Sequence, residues 1–254
     1  MSKKKLDYGK IKQRIMDIGL KTGVGHIASA LTLVRPLCRM YNQSPDYIHI
    51  VSKGHGVLAQ YVILNELGIL PDEVLDTYYQ DGGLSEHSTL SKKYGIYAST
   101  GSLGHGLGIG IGYAIANPDR LVVVYMSDGE LDCGPTLSSL KIANKLKLNN
   151  IIVVVDHNRL QAFSESRRED LNLFSHNWFQ TFNGTKGEAW GDIAGTMESH
   201  YTKVTQEVYD IWMKEYPVID KRDKELDAQV ETLTKERNKK FKLLEEQRED
   251  EQRD

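Results

Sequence analysis

The run from Leu121 to Val155 constrains this chain more than any other segment. Leu121-Val122-Val123-Val124-Tyr125-Met126 is an unbroken apolar stretch rich in β-branched residues, the pattern of a strand buried on both faces. Thr136 to Leu146 follows as a helix, and Ile151 to Val155 is a second apolar strand. Strand, crossover helix and strand of this length make a βαβ unit, whose two strands run parallel. Parallel strands end at one edge of their sheet, so Asp128 and Asn158, each just past a strand, leave it on the same side. Neighbouring strands lie roughly 4.8 Å apart, so both side chains reach one ion if the two strands are adjacent. Open parallel sheets bind ligands just beyond these ends. Asp128-Gly129 is equally the wording of a turn, and taken alone the pair supports both readings evenly.

The rest of the chain supplies more elements of the same kind. Ile11, Ile15, Met16 and Ile18 stand at helical spacing within Tyr8 to Lys21. A glycine-bearing turn at residues 22–26 leads to a second helix, Ser29 to Tyr41. Ile48 to Val51 reads as a short strand that delivers Lys53-Gly54-His55 to a loop, with a helix following to Leu67. Residues 81–90 form a polar loop, and Ser99 to Asn117 begins as a loop and continues as a glycine-rich helix. Residues 164–195 show no clear periodicity and read mostly as loop. From about Val204 the pattern is helical. Ile219 to Asp254 is dense in charge, with a thin apolar stripe at Leu226, Val230, Leu233, Phe241 and Leu244, as in a solvated or partner-packed helix. The fold class is therefore α/β, a mainly parallel β-sheet flanked by helices over residues 1–210, with a charged helical tail over 211–254.

Composition narrows the function. A chain of 254 residues with a formal net charge of −3 gives no electrostatic case for a nucleic-acid partner. No apolar run reaches membrane-spanning length. Cys38 and Cys133 are far apart and lack C-x-x-C spacing, which excludes a disulfide scaffold or a cysteine zinc site and fits a reducing, cytoplasmic setting. The glycines from Gly104 to Gly112 do not make a dinucleotide fingerprint, because no convincing strand precedes them and no strand-end acid follows at the right distance. Gly104, Gly108 and Gly112, four residues apart, instead suggest close helix packing, as at a subunit interface. His105, His157 and His176 read as ordinary surface or core histidines.

Asp128 and Asn158 offer oxygen ligands, which suit a hard cation such as Mg²⁺ or Ca²⁺. One carboxylate and one amide are too few for an all-protein cage, yet suit a metal shared with a diphosphate. Gly129 has no side chain to keep a phosphate from its N–H. Five motifs then occur in order: Gly25-His26, Ser52-Lys53-Gly54-His55, Ser99 to Gly108 (STGSLGHGLG), Ser127 to Gly134 (SDGELDCG) and Asp156 to Gln161 (DHNRLQ). In these the chain resembles the N-terminal, thiamine-diphosphate-binding part of the transketolase family, closely from Ile11 to Gln161 and more loosely to about Tyr209.

The resemblance implies roles for single residues. Asp128 and Asn158 would ligate Mg²⁺ (or Ca²⁺), with the backbone carbonyl of Leu160 as a third ligand. His55, His87 and the Gly129 N–H would contact the diphosphate, and Gly101 and Leu103 would flank the cofactor rings. His26 and His200 would face the substrate as the catalytic histidines. The activity implied is transfer of a two-carbon ketol unit between sugar phosphates. In the family a second, pyrimidine-binding domain supplies a glutamate to the cofactor, and no such domain follows here. The implied protein is therefore one half of a split enzyme, a homodimer or heterotetramer completed by a separate pyrimidine-domain subunit. Two acids that the family places in an inter-subunit network are Cys133 and Ser138 here, the stretch between Gln161 and Thr185 is short, and the opening motif reads Gly25-His26-Ile27-Ala28-Ser29. These departures keep open an alternative, a non-catalytic or altered-function homologue serving binding, assembly or regulation.

Overall fold

The computed structural model describes residues 5–23, 26–157, 179–182 (backbone only) and 203–214, with isolated helical positions at 221, 225 and 228. The chain divides into two compact units, Met1–Asp210 and Ile211–Asp254.

The first unit opens with α1 (Tyr8–Thr22), whose N-terminus is capped by the Asp7 side chain accepting the Lys10 N–H at 3.1 Å. It stops at Gly23, which takes the left-handed conformation at φ 61°. The second helix, α2 (Ile27–Gln43), runs two residues beyond the expected span at each end. Ile27 and Ala28 are buried, and Asn42 accepts the Leu6 N–H, so tertiary contacts extend the helix past the point where periodicity fades. The remaining elements are β1 (Ile48–Val51), α3 (Leu58–Glu66), the single turn α4 (Asp72–Leu75), α5 (His105–Ala116), β2 (Val122–Ser127), α6 (Gly134–Leu146), β3 (Ile151–Asp156) and β4 (Phe179–Phe182).

The sheet has the order β1-β2-β3-β4 and every neighbouring pair is parallel. β2 and β3 are adjacent, with Ser127 opposite Asp156, so Asp128 and the residues after Asp156 do leave the sheet together. One core joins Ile48, Val122, Val124, Met126, Val153 and Val155 to Leu107 and Ile111 of α5 and Leu140 of α6. The side chains alternate across the pleat, and α2 packs on β3.

Two features go beyond the sequence reading. β4 lies within residues 164–195, which the sequence reads mostly as loop; its four residues pair with Val153 to Asp156 of β3. A strand this short shows no periodicity, and its existence rests on pairing with β3. In α5 the tight glycines are not only those at the expected spacing. A Cβ on Gly106 would collide with Ser52, one on Gly110 with Val124, and one on Gly104 would sit 2.6 Å from the Cys133 Cβ. Gly108 faces Ser139 Oγ at 3.2 Å, whereas Gly112 has nothing within 4 Å. Gly106 and Gly110 thus let α5 settle onto the sheet, while Gly104 and Gly108 bring it close to α6, and Gly112 is exposed.

His49 on β1 shows how a polar group is accommodated on the other face of the sheet, toward α2. Its ring stacks on Tyr41 at 3.7 Å between centroids. Nε2 lies 3.1 Å from the Ser44 carbonyl and Nδ1 2.8 Å from the Tyr125 hydroxyl. A carbonyl only accepts, so Nε2 carries the proton and Nδ1 accepts from Tyr125. Burial lowers the His49 pKa from 6.5 to about 4. The unfolded chain binds a proton there between those values and the folded chain does not, so stability rises with pH across that window. Lowering the pH from 7 to 4.5 should cost about 2–3 kcal/mol through His49. Urea unfolding of wild type and His49→Gln at both pH values checks this; an equal loss in the two proteins would refute it.

Candidate functional site

The carboxyl ends of β1, β2 and β3 lie at one edge of the sheet, and each leads directly into polar residues. After β1, Ser52 and Lys53 lead into a 3₁₀ turn, Gly54–Gly56, which carries His55. After β2, Asp128 opens a second 3₁₀ turn, Asp128–Asp132. After β3 comes His157. α2 contributes His26 at its N-cap, in the left-handed region at φ 61°. Few side chains adopt that conformation, histidine more readily than most.

Two local devices bring His87 to the same place. The Ser88 hydroxyl donates to the Ala98 carbonyl at 2.8 Å, and the Thr100 N–H donates to the Ser88 carbonyl at 3.0 Å. Thr100 is in turn fixed to β1, its hydroxyl donating to the Val51 carbonyl at 2.6 Å. Gly54 permits this approach, since a Cβ there would sit 2.6 Å from the Thr100 carbonyl oxygen. The result gathers three histidines from separate segments. The His26 ring centroid lies 5.2 Å from that of His55 and 6.1 Å from that of His87. Gly101 lies against the His87 ring, where a Cβ would be 3.4 Å from Cδ2. Leu103 is an exposed apolar side chain on the same loop.

Burial lowers the His26 pKa, and the neighbouring Glu86 carboxylate opposes that shift. Glu86 Oε2 is 3.8 Å from His26 Nδ1, and Glu86 Oε1 is 3.8 Å from His87 Nδ1.

Asp128 is fully buried. Its Oδ1 accepts the Gly129 N–H at 3.0 Å, so the N–H expected to reach a diphosphate is directed at this carboxylate. Its Oδ2 is 3.9 Å from His157 Nε2, which draws into the site a histidine that the sequence reads as ordinary. Asn158, Leu160 and His200 lie outside the described residues.

The sequence does not mark Glu130 and Lys53 as site residues, yet they tie the three strand ends together. Glu130 is buried and accepts from four donors. Oε1 takes the Ser52 hydroxyl and the Gly104 N–H, the latter at 3.1 Å. Oε2 takes the Ser127 N–H at 2.8 Å and the Ser127 hydroxyl at 3.1 Å. A signal for Glu130 does exist: Ser127 and Glu130 form a capping box, and S-x-x-E is its sequence signature. Lys53 Nζ is 2.7 Å from Asp156 Oδ2, both side chains 1% exposed. Thr32 of α2 joins the pair, its hydroxyl donating to Asp156 Oδ2 at 2.6 Å and accepting from Lys53 at 3.1 Å.

These residues suit a diphosphate with a hard cation. A buried carboxylate at a strand end offers the oxygen donor such a cation takes, and clustered imidazoles offer N–H donors to anionic oxygens. Among the described residues no three His, Cys, Asp or Glu side chains are grouped to hold a metal. No helix among them is long and apolar enough to cross a membrane.

The model of the transketolase thiamine diphosphate binding domain matches residues 19–169 of the chain. The chain belongs to the transketolase family. Among its relatives, one of the subunits of apulose-4-phosphate transketolase from Phocaeicola vulgatus is 34% identical, over 67% of this chain and 66% of its own length. The 6-deoxy-6-sulfo-D-fructose transketolase subunit SqwG of a Clostridium species is 32% identical, over 59% and 60%. The transketolase-family chain thus spans just under two thirds of these relatives. Transketolase from Campylobacter jejuni superposes with a TM-score of 0.68 at 16% identity, covering 85% of this chain and 45% of that one. At that identity the likeness speaks for the fold, an α/β thiamine-diphosphate-binding fold.

Proposed function

We propose that the chain is the cofactor-binding subunit of a split transketolase, acting on anionic sugars with thiamine diphosphate and Mg²⁺. The observation that carries this reading is that buried Asp128 and the grouped His26, His55 and His87 follow strand ends at one sheet edge or pack beside them, within the stretch that matches the family's domain. Asp128 would hold the cation, with Asn158 and the Leu160 carbonyl completing the protein's share. His55 and His87 would take the diphosphate, the Gly129 N–H would join them on turning away from Asp128 Oδ1, and Gly101 and Leu103 would flank the rings. His26 and His200 would hold and move protons on the substrate. When bound, the cofactor supplies the carbon nucleophile and electron sink for two-carbon transfer. We assign the site to residues 1–210 and no part of it to the charged tail.

Both relatives described above are named as transketolase subunits, and their names carry apulose-4-phosphate and 6-deoxy-6-sulfo-D-fructose, two anionic sugars. These names support a separate partner subunit and an anionic sugar substrate. A second reading has a specific observation in its favour. Cys133 and Ser138 stand where the family resemblance places two acids, Cys133 half-buried and Ser138 exposed on α6. A homologue kept for assembly rather than catalysis would tolerate this loss.

Calorimetry with thiamine diphosphate and Mg²⁺, on the chain alone and with the candidate partner subunit, separates these readings. Saturable binding is expected with the partner present, weakened about 100-fold or more by Asp128→Ala, since even outer-shell partners of a metal ligand are worth 10–100-fold. Binding without two-carbon transfer would favour the assembly reading. No binding in either setting would overturn both the cofactor site and the enzyme.

A further inference from the structure

We propose that Glu86 is a positioning residue that fixes the protonation and orientation of His26 for its work on the substrate. The proposal rests on the reading of this edge as the cofactor and substrate site. Its basis is geometric: one carboxylate spans two imidazoles, each oxygen 3.8 Å from the Nδ1 of a different histidine. His26 and His87 come from the start of α2 and from the loop at residues 81–90, so Glu86 also links two segments far apart in sequence.

Among the described residues, the other surroundings of His26 disfavour a proton on it. The side chain is buried to 16% exposure. It caps the N-terminus of a 17-residue helix, where the peptide dipoles present partial positive charge. His55 and His87 face it from the turn after β1 and from the loop. Lys53 acts on it from beyond β1 and also disfavours its protonation, but the ammonium is itself paired with Asp156. Against these, Glu86 is the carboxylate that favours charge on His26, and it does so through Nδ1. A proton on Nδ1 facing Glu86 makes Nε2 the nitrogen whose protonation changes when substrate protons move. An acid in a polar loop thereby governs the titration of a histidine on another element, and its second oxygen stands as close to His87 Nδ1.

The test is an NMR titration of the His26 imidazole in wild type, Glu86→Gln and Glu86→Asp, each as the full chain. Removing the charge should lower the His26 pKa by about one unit, with partial recovery in Glu86→Asp. In the complete enzyme the His26-dependent limb of the kcat profile should move to lower pH by the same amount. At fixed pH, kcat should fall about 10-fold, with the KM for the sugar donor little changed. A His26 titration identical in wild type and Glu86→Gln would overturn the proposal. If thiamine diphosphate fails to bind while the titration still shifts, the coupling stands and the cofactor reading alone falls. Glu86 lies in a loop and is 31% exposed, so its removal leaves the core intact; Glu86→Asp, which keeps the charge, separates charge from shape.

Discussion

Asp156→Ala should destabilise the protein by about 3–5 kcal/mol, the cost of leaving a buried ammonium without its counter-ion. Lys53 and Asp156 are both 1% exposed and their charged atoms are 2.7 Å apart. Asp156 Oδ2 also holds the Thr32 hydroxyl at 2.6 Å, so the same change removes one of the links from the sheet edge to α2. Thr32 Oγ1 and the Ser29 carbonyl stay close to Lys53, at 3.1 and 3.4 Å, but neither carries charge. The double variant Lys53→Met/Asp156→Leu tests the cause. Replacing a buried ion pair by apolar groups of similar volume is often close to neutral, so the double variant should recover most of the loss. Equilibrium urea unfolding measures both. A double variant as unstable as Asp156→Ala would show that the defect lies in packing rather than in an unpaired charge.

Glu130→Ala should cost about 2–5 kcal/mol, because two backbone N–H groups, of Gly104 and Ser127, lose their acceptor inside the protein. The Ser52 and Ser127 hydroxyls can turn to other acceptors, whereas the two amides cannot. The two amides only donate, whereas the Ser52 and Ser127 hydroxyls can donate or accept, so this set accommodates the carboxylate and the protonated acid alike. Burial raises the Glu130 pKa above its ordinary value, with hydrogen bonds from Ser52, Ser127 and Gly104 opposing the shift. The folded state therefore holds the Glu130 proton to higher pH than the unfolded chain. Its contribution to stability declines as pH rises from 4.5 through the raised value. Glu130→Gln should lose that decline while keeping the volume. Unfolding midpoints of the three proteins between pH 4.5 and 8 check this; parallel curves for wild type and Glu130→Gln would disprove the titration argument.

The βαβ unit from Val122 to Asp156 was legible in the sequence because its apolar runs are long and buried on both faces. The shared exit of Asp128 and the residues beyond Asp156 followed from chain direction, whereas the adjacency of the two strands was a condition that the pairing of β2 with β3 meets. β4 was not legible, because Phe179–Phe182 has too few residues for a pattern and takes its place from β3. Motif order indicated that His26, His55 and His87 belong together. Their meeting depends on features that order does not show, such as the left-handed His26 backbone and the Ser88–Thr100 bonds. Glu86 gave no signal, since an acid in a polar loop reads as solvent-facing. Lys53 and Asp156 each adjoin a strand end in quoted motifs, but their pairing needs the tertiary packing of β1, β3 and α2. Asn158, Leu160 and His200 lie outside the described residues, so their roles rest on the family resemblance.

The place of β2 between β1 and β3 also sets when the site can come into being. A growing chain that has already made His26, His55 and His87 has, among the described strands, no partner for β1 until β2 emerges. Pairings between such distant segments are slow to form, because a long loop must close before the contacts return anything. The same closure brings Ser52 to Glu130, so the histidine half and the carboxylate half of the site join in one late step. Cofactor binding would then report that β1 has paired with β2, and a chain without that pair would have little hold on thiamine diphosphate.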